Sequence, residues 1–157
     1  MNHLATSKED ILAASRDLIK ENGWAAVSIR AVASRCSVSA GTIYNYYESK
    51  ADLLSDTIES IWHEIFFHPE DEQVFHDVES CISWIYERLE YGNRQFPGFF
   101  SLHSFGFMRD EKTSGKKRMM KTWGHILNGL CEVLENDPKV RADVFDQEFT
   151  EKKFADI

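Results

Sequence analysis

The stretch Ser37 to Lys50, SVSAGTIYNYYESK, constrains this chain more than any other. It is polar at its start, aromatic in its middle and closes on a lysine. That pattern reads as the turn and second helix of a helix-turn-helix whose helix enters a DNA groove. Ser39 is a helix cap, and the spacing predicts a helix over Ala40–Tyr47. Within it Ile43 and Tyr47 stand at i and i+4, which makes them an inward pair.

The flanking chain supports this reading. Ser7 and Asp10 form a capping box for a helix over Lys8–Asn22, with Ile11, Leu12, Ala14, Leu18 and Ile19 at helical spacing. Gly23 is expected to stop that helix in the left-handed conformation. Trp24 to Val27 make an apolar connector, and Ser28 caps a short helix over Ile29–Cys36. Ser49 and Asp52 form a second capping box for a helix over Lys50–Phe67, with Leu53, Leu54, Ile58, Ile61, Trp62 and Ile65 on its apolar side. His68-Pro69 ends it. Glu70, Asp71 and Glu72 open a linker and the acidic first turn of a fifth helix carrying Val74, Phe75, Val78, Ile82, Ile85 and Leu89. A long helix is predicted over Lys116–Glu135, broken by Asn136-Asp137-Pro138. Residues 139–157 read as the start of one more helix, and Ile157 follows without a stop signal, which predicts a missing C-terminal piece.

Apolar residues make up 43% and charged residues 28%, which suits a globular chain. No apolar run approaches the roughly 20 residues needed to span a bilayer, so no membrane is expected. The start, MNHLATSKED, lacks a charged-then-apolar leader, so a cytoplasmic location is expected. The cysteines, Cys36, Cys81 and Cys131, are three, far apart and without a CxxC pair, and read as reduced thiols. Net charge is −8, which by itself opposes nucleic-acid binding. Residues 1–50, however, carry six Lys/Arg and five Asp/Glu, a net of +1, and the remainder carries −9. A near-neutral head on an acidic body fits a DNA reader attached to a body that does not touch DNA.

Several residues suit that task. Ala40 and Gly41 are small enough for close approach, and the hydroxyls of Ser39 and Thr42 can bond phosphate oxygens. Tyr44 and Tyr46 end in hydroxyls that reach the backbone flanking a groove. Lys50 can neutralise a phosphate. Arg30 is a candidate for a guanine edge and Asn45 for adenine.

Ile11, Leu18, Gly23, Ser28, Val32, Ala33, the run Val38-Ser39-Ala40-Gly41-Thr42-Ile43-Tyr44, Tyr47, Ser49-Lys50 and Leu53-Leu54 together resemble the N-terminal DNA-binding region of the TetR family of bacterial repressors. The resemblance covers about the first 55 residues. It implies DNA contacts at Ser28, Arg30, Ser39, Ala40, Gly41, Thr42, Tyr44, Asn45, Tyr46 and Lys50. One departure is visible: the family usually has glycine where Ser37 stands, and a left-handed serine costs roughly 1 kcal/mol relative to glycine.

The expected fold is therefore all-α. A three-helix helix-turn-helix DNA-binding domain, residues 1–48, precedes a helical-bundle domain for effector binding and dimerisation, residues 49–157. The segment Phe96 to Met108 holds five Phe in thirteen residues, which suggests an apolar pocket in that body. Its candidate lining is Trp62, Phe66, Trp84, Phe99, Phe100, His103, Phe107, Met119, Trp123 and Leu127, with His103 or His125 as polar groups. The expected partners are a double-stranded, near-palindromic DNA operator, a small apolar or aromatic effector, and a second copy in a homodimer. The expected output is repression relieved when the effector pushes the fourth helix and changes the spacing of the heads. No cofactor and no catalysis are expected: there is no nucleophile–base signature, glycine-rich phosphate loop or zinc ribbon. The alternatives are a helical protein-interaction module, or a metal-responsive regulator using His63, His68 and His76 with Glu64, Glu70 and Asp71, whose spacing matches no metal motif.

Overall fold

The computed structural model describes residues 6–67, 75–100 and 114–155, with side chains described for all of these except 114–122. The described residues are helical, with no strand among them.

Helix α1 spans Lys8–Asn22. Ser7 Oγ accepts from the Asp10 N–H at 3.1 Å, and the Asp10 carboxylate accepts from the Ser7 N–H at 2.8 Å. The Ser7 hydroxyl and then its backbone N–H hold the Asp10 carboxyl below its usual value. Gly23 ends the helix at φ 78°, ψ 177°. Positive φ is as expected, but this is an extended region open to glycine, not the left-handed helical one. A single 3₁₀ turn, Trp24–Ala26, follows.

Helix α2 is Ile29–Arg35, capped by Ser28. It stops one residue short of the expected end, at Cys36, because the chain there turns left-handed: Ser37 has φ 56°. The Val38 N–H donates to the Ala33 carbonyl at 2.9 Å and the Ser37 N–H to Ser34 at 3.1 Å. These two bonds are the Schellman termination, in which glycine is the usual occupant of the position Ser37 holds.

Helix α3 is Ala40–Tyr44, three residues shorter than the spacing predicts. The chain tightens at Asn45, whose N–H bonds both the Gly41 and Thr42 carbonyls. The Tyr47 N–H nevertheless donates to the Ile43 carbonyl at 3.0 Å. The i, i+4 relation therefore survives the end of the helix, and both side chains are buried.

Helix α4 is Lys50–Phe66, with Phe67 outside it. Ser49 accepts from the Asp52 N–H, but the Asp52 carboxylate takes the Ser49 hydroxyl at 2.7 Å instead of its backbone N–H. The expected box is thus half formed. Leu53, Ile58, Ile61, Trp62, Ile65 and Phe66 are buried, and Leu54 is only half-buried.

Helix α5 is Val78–Gln95, capped by Asp77. Phe75 lies before the helix rather than in it, and Val74, Glu70, Asp71 and Glu72 fall outside the described residues. Ile82, expected inward, is 47% exposed. The inward register is set by Cys81, Trp84, Ile85 and Gly92, and leaves Ile82 and Tyr86 outside. Gly92 permits the close approach of α4 and α5: a Cβ there would lie 2.7 Å from Ile65 Cδ1 and 3.0 Å from Phe100 Cζ.

Helix α6 runs from Ser114 to Asn136. The expected further helix over 139–157 is mostly absent among the described residues, which run to 155: the chain turns, and among them only Glu151–Ala155, α7, is helical. Asp146 accepts from the N–H groups of Glu148 and Phe149, and Arg141 pairs with Asp143 two residues on. Such local bonds compete with a helix. Phe145, Phe149 and Phe154 gather at centroid separations of 5.8 to 6.4 Å.

One apolar cluster runs from Ile11, Val32 and Ile43 through Leu53 and Ile61 to Trp84, Phe99 and Ile126. A second joins Cys81 on α5 to Leu130, Val133 and Leu134 on α6.

Candidate nucleic-acid interface

Helices α2 and α3 lie against each other, with Ile29, Val32, Ala33 and Ile43 inward. That arrangement decides what faces out. Arg30, Ser39, Gly41, Asn45 and Lys50 are exposed, and Tyr44 is 54% exposed. Ser28, Ala40 and Thr42 are half-buried. Ser28 accepts from the Ala31 N–H, and Ser39 accepts from the Thr42 N–H. Both caps are therefore engaged in starting their helices. The Ser39 and Thr42 hydroxyls are 3.1 Å apart and share a hydrogen bond. Tyr46 is placed differently from Tyr44. It packs against the core, and its hydroxyl donates to the Thr6 carbonyl at 2.7 Å.

The cations of this region fall into two groups. Lys8 pairs with Asp56, Arg16 with Glu9 and Glu64, Lys20 with Glu64, and Arg35 with Glu21. Arg30 and Lys50 have no acid partner among the described residues. Pairing neutralises four of the six cations in place; the remaining two are those that sequence reasoning assigned to a DNA edge and a phosphate.

In the body, Trp62, Phe66, Trp84, Phe99, Phe100 and Trp123 come together. Trp62 lies 5.1 Å from Phe66, 5.6 Å from Phe99, 5.9 Å from Phe100 and 6.1 Å from Trp123, centroid to centroid. Phe66 meets Trp84 edge-on at 6.1 Å. Tilted and edge-on pairs of this kind suit aromatic quadrupoles. The Trp84 indole N–H is buried and has no hydrogen-bond partner among the described residues, although Trp84 is only 7% exposed. Leu127 is half-buried on α6, and His125 is exposed. His103 and Phe107 lie outside the described residues, as does the Met119 side chain.

The head meets the body through contacts that sequence reasoning missed. Trp24 stacks on Phe99 at 5.7 Å. Lys20 Nζ sits 5.0 Å over the Phe96 ring. An aromatic residue just after the glycine stop of α1 was the readable sign of the first. Of the cysteines, all are free thiols, and burial pushes Cys81 up to about 11, which makes it inert. Among the described residues no group of three His, Cys, Asp or Glu is placed to hold a metal; His68, Glu70 and Asp71 lie outside them. No described helix is long and apolar enough to cross a membrane.

A capped pair of short helices joined by a Schellman turn and braced by a longer first helix defines a helix-turn-helix head. Residues 11–57 match the profile of the family described as bacterial regulatory proteins, tetR family. Over those residues the chain is similar to that family. It is 38% identical over 48 residues to the HTH-type transcriptional regulator UidR of Escherichia coli (strain K12), covering 31% of this chain and 24% of the relative. It is 45% identical over 47 residues to the HTH-type transcriptional repressor KstR of Rhodococcus jostii (strain RHA1), covering 30% of this chain and 22% of that protein. These matches span about a quarter of the relatives' length, and the body lies outside them.

Proposed function

We propose that this chain is a sequence-specific DNA-binding transcriptional regulator, acting as a repressor from the cytoplasm. The observation that carries the reading is the pair Arg30 and Lys50, exposed cations without an acid partner among the described residues, flanking the small first turn of α3. Thr42, Tyr44 and Asn45 supply the remaining polar contacts, with Ser28, Ser39, Ala40 and Gly41 at close approach. Tyr46 contributes through its ring edge, its proton being given to Thr6. The acidic body is repelled by phosphate, so contact is confined to the head.

The protein works as a homodimer on a near-palindromic operator, with half-sites about one helical turn, ~34 Å, apart or somewhat more. The aromatic cluster of the body takes a small apolar or aromatic effector. The Trp84 N–H, buried and without a partner among the described residues, supports an effector carrying one hydrogen-bond acceptor, since a buried orphan donor costs about 1–3 kcal/mol until it is satisfied. The effector acts by favouring a different position of α4, and must discriminate between the two states by a few kcal/mol.

Fluorescence anisotropy on the neighbouring promoter region tests this. The protein is expected to prefer that duplex over random DNA at moderate salt. Arg30→Ala is expected to cost about 1–3 kcal/mol on the specific duplex and to relax base preference, with little change on random DNA. Equal losses on both duplexes would remove Arg30 from base reading, and no preference at all would overturn the function.

A further inference from the structure

Arg16 and Lys20 stand at i and i+4 on α1, so two like charges share one helix face and repel. The structure resolves this through one residue of another helix. Glu64, near the end of α4, accepts from Lys20 Nζ at 2.6 Å on one carboxylate oxygen. Its other oxygen lies 3.1 Å from Arg16 Nε. The Arg16 guanidinium also bonds Ser60, one turn earlier on α4, and Glu9 on α1 at 2.9 Å. The three charged side chains are largely covered: Arg16 is 16%, Glu64 23% and Lys20 29% exposed. Screening by solvent is correspondingly weaker than for a surface pair.

A third helix reaches the same carboxylate. The Tyr91 hydroxyl, on α5, donates to the oxygen that Lys20 holds, at 3.2 Å. Burial, and after it the neighbouring Glu64 charge, keep the Tyr91 phenol above its usual value, so it stays protonated and able to donate. Glu64 is thus the point where α1 of the head, α4 and α5 of the body are joined by charge-assisted bonds. Lys20 extends the junction to Phe96, immediately after α5.

We propose that Glu64 is a positioning residue that fixes the angle of α1, and with it the DNA-reading head, on the body, and that Tyr91 is the body's hold on that clamp. This rests on the reading of the head as a DNA reader. A shift of α5 relative to α4 changes the Tyr91 bond, which changes how Glu64 divides itself between Lys20 and Arg16. The head then pivots without any change at Arg30 or Tyr44. Half-site spacing, rather than half-site sequence, is the property the clamp controls.

Duplexes bound from a random pool are compared for the full chain, Glu64→Gln and Tyr91→Phe, and amide hydrogen exchange is followed on the free proteins. Both variants are expected to select the same half-site bases. The preference for the best spacing over one a base pair longer is expected to fall about three- to tenfold in Glu64→Gln and less in Tyr91→Phe. Exchange is expected to rise over Ile19–Gly23 and to stay unchanged over Ile29–Arg35. Should glutamine at 64 prevent folding, Tyr91→Phe, which removes one hydroxyl, carries the test. Unchanged spacing preference with unchanged α1 exchange overturns the proposal. So does a loss equal at all spacings, which marks Glu64 as merely structural. If the unaltered chain selects no sequence, the DNA-reading function fails, while the exchange experiment still decides whether Glu64 and Tyr91 clamp α1.

Discussion

Ser37 occupies a left-handed position at the corner between α2 and α3, with φ 56°, where a side chain is strained. Its neighbours force this, since the Val38 and Ser34 bonds of the Schellman turn leave no other path. Ser37→Gly is expected to raise stability by about 0.5–1 kcal/mol, the relieved strain being partly offset by a more flexible unfolded chain. Thermal melting checks this: a few degrees' rise is expected for glycine and none for Ser37→Ala. The residue was legible in the sequence through the family resemblance, which usually places glycine where Ser37 stands. The role of Tyr46 was not legible. Tyr44 and Tyr46 are both polar aromatics two positions apart, and only the fold places a Thr6 carbonyl within reach of one of them.

Helix boundaries followed the same division between local and distant causes. The ends of α1 are set by Ser7, Asp10 and Gly23, all adjacent in sequence, and the expected Lys8–Asn22 matches the structure. The segment after Pro138 departs from the expected helix because Val140, Val144, Phe145 and Phe149 have helix-like spacing, whereas the Asp146 carboxylate takes the Glu148 and Phe149 N–H groups and ties the backbone into a turn. Between helices, Gly92 sets how closely α4 and α5 lie. Gly92→Ala is expected to cost about 1–3 kcal/mol by overpacking against Ile65. Adding Ile65→Val, which deletes the Cδ1 atom in the way, is expected to recover part of that loss in denaturant unfolding. Asp137, just past α6, reaches the start of α5: its carboxylate accepts from the Val78 N–H at 2.9 Å and from the Lys139 N–H at 2.9 Å. These two backbone bonds, Val78 first, hold its carboxyl below the usual value. Its contribution is therefore complete above the unfolded-chain value of about 3.9 and is lost as pH falls through the lower folded value. The melting temperature of Asp137→Asn is expected to fall less steeply below about pH 4 than that of the unaltered chain.

At the scale of the molecule, charge is arranged so that little of it is available to DNA. If Lys50 is the phosphate contact of each of two heads, with Arg30 on a base edge, the logarithm of affinity is expected to fall with the logarithm of salt at a slope of about −2. Lys50→Ala is expected to reduce that slope by about 2, one contact per head. Anisotropy titrations across salt measure both, and a slope nearer −8 would show that the paired cations of α1 open onto DNA. The head's charge balance was legible in composition, but the pairing was not. Glu64 lies 48 residues from Arg16, and no spacing rule connects them. The aromatic body was legible as a composition and not as a cluster, because Trp24, Trp62 and Phe99 meet only across helices. The Asp137 bond spans 59 residues, from the end of α6 back to the start of α5. It closes the intervening chain into a pinned loop, and loop-closure entropy grows only slowly with length. The bond therefore fastens the first turn of α5 to the end of α6 at an entropic cost set weakly by how much chain runs between them, so the register of these two helix ends depends on one carboxylate far more than on the length of the connection.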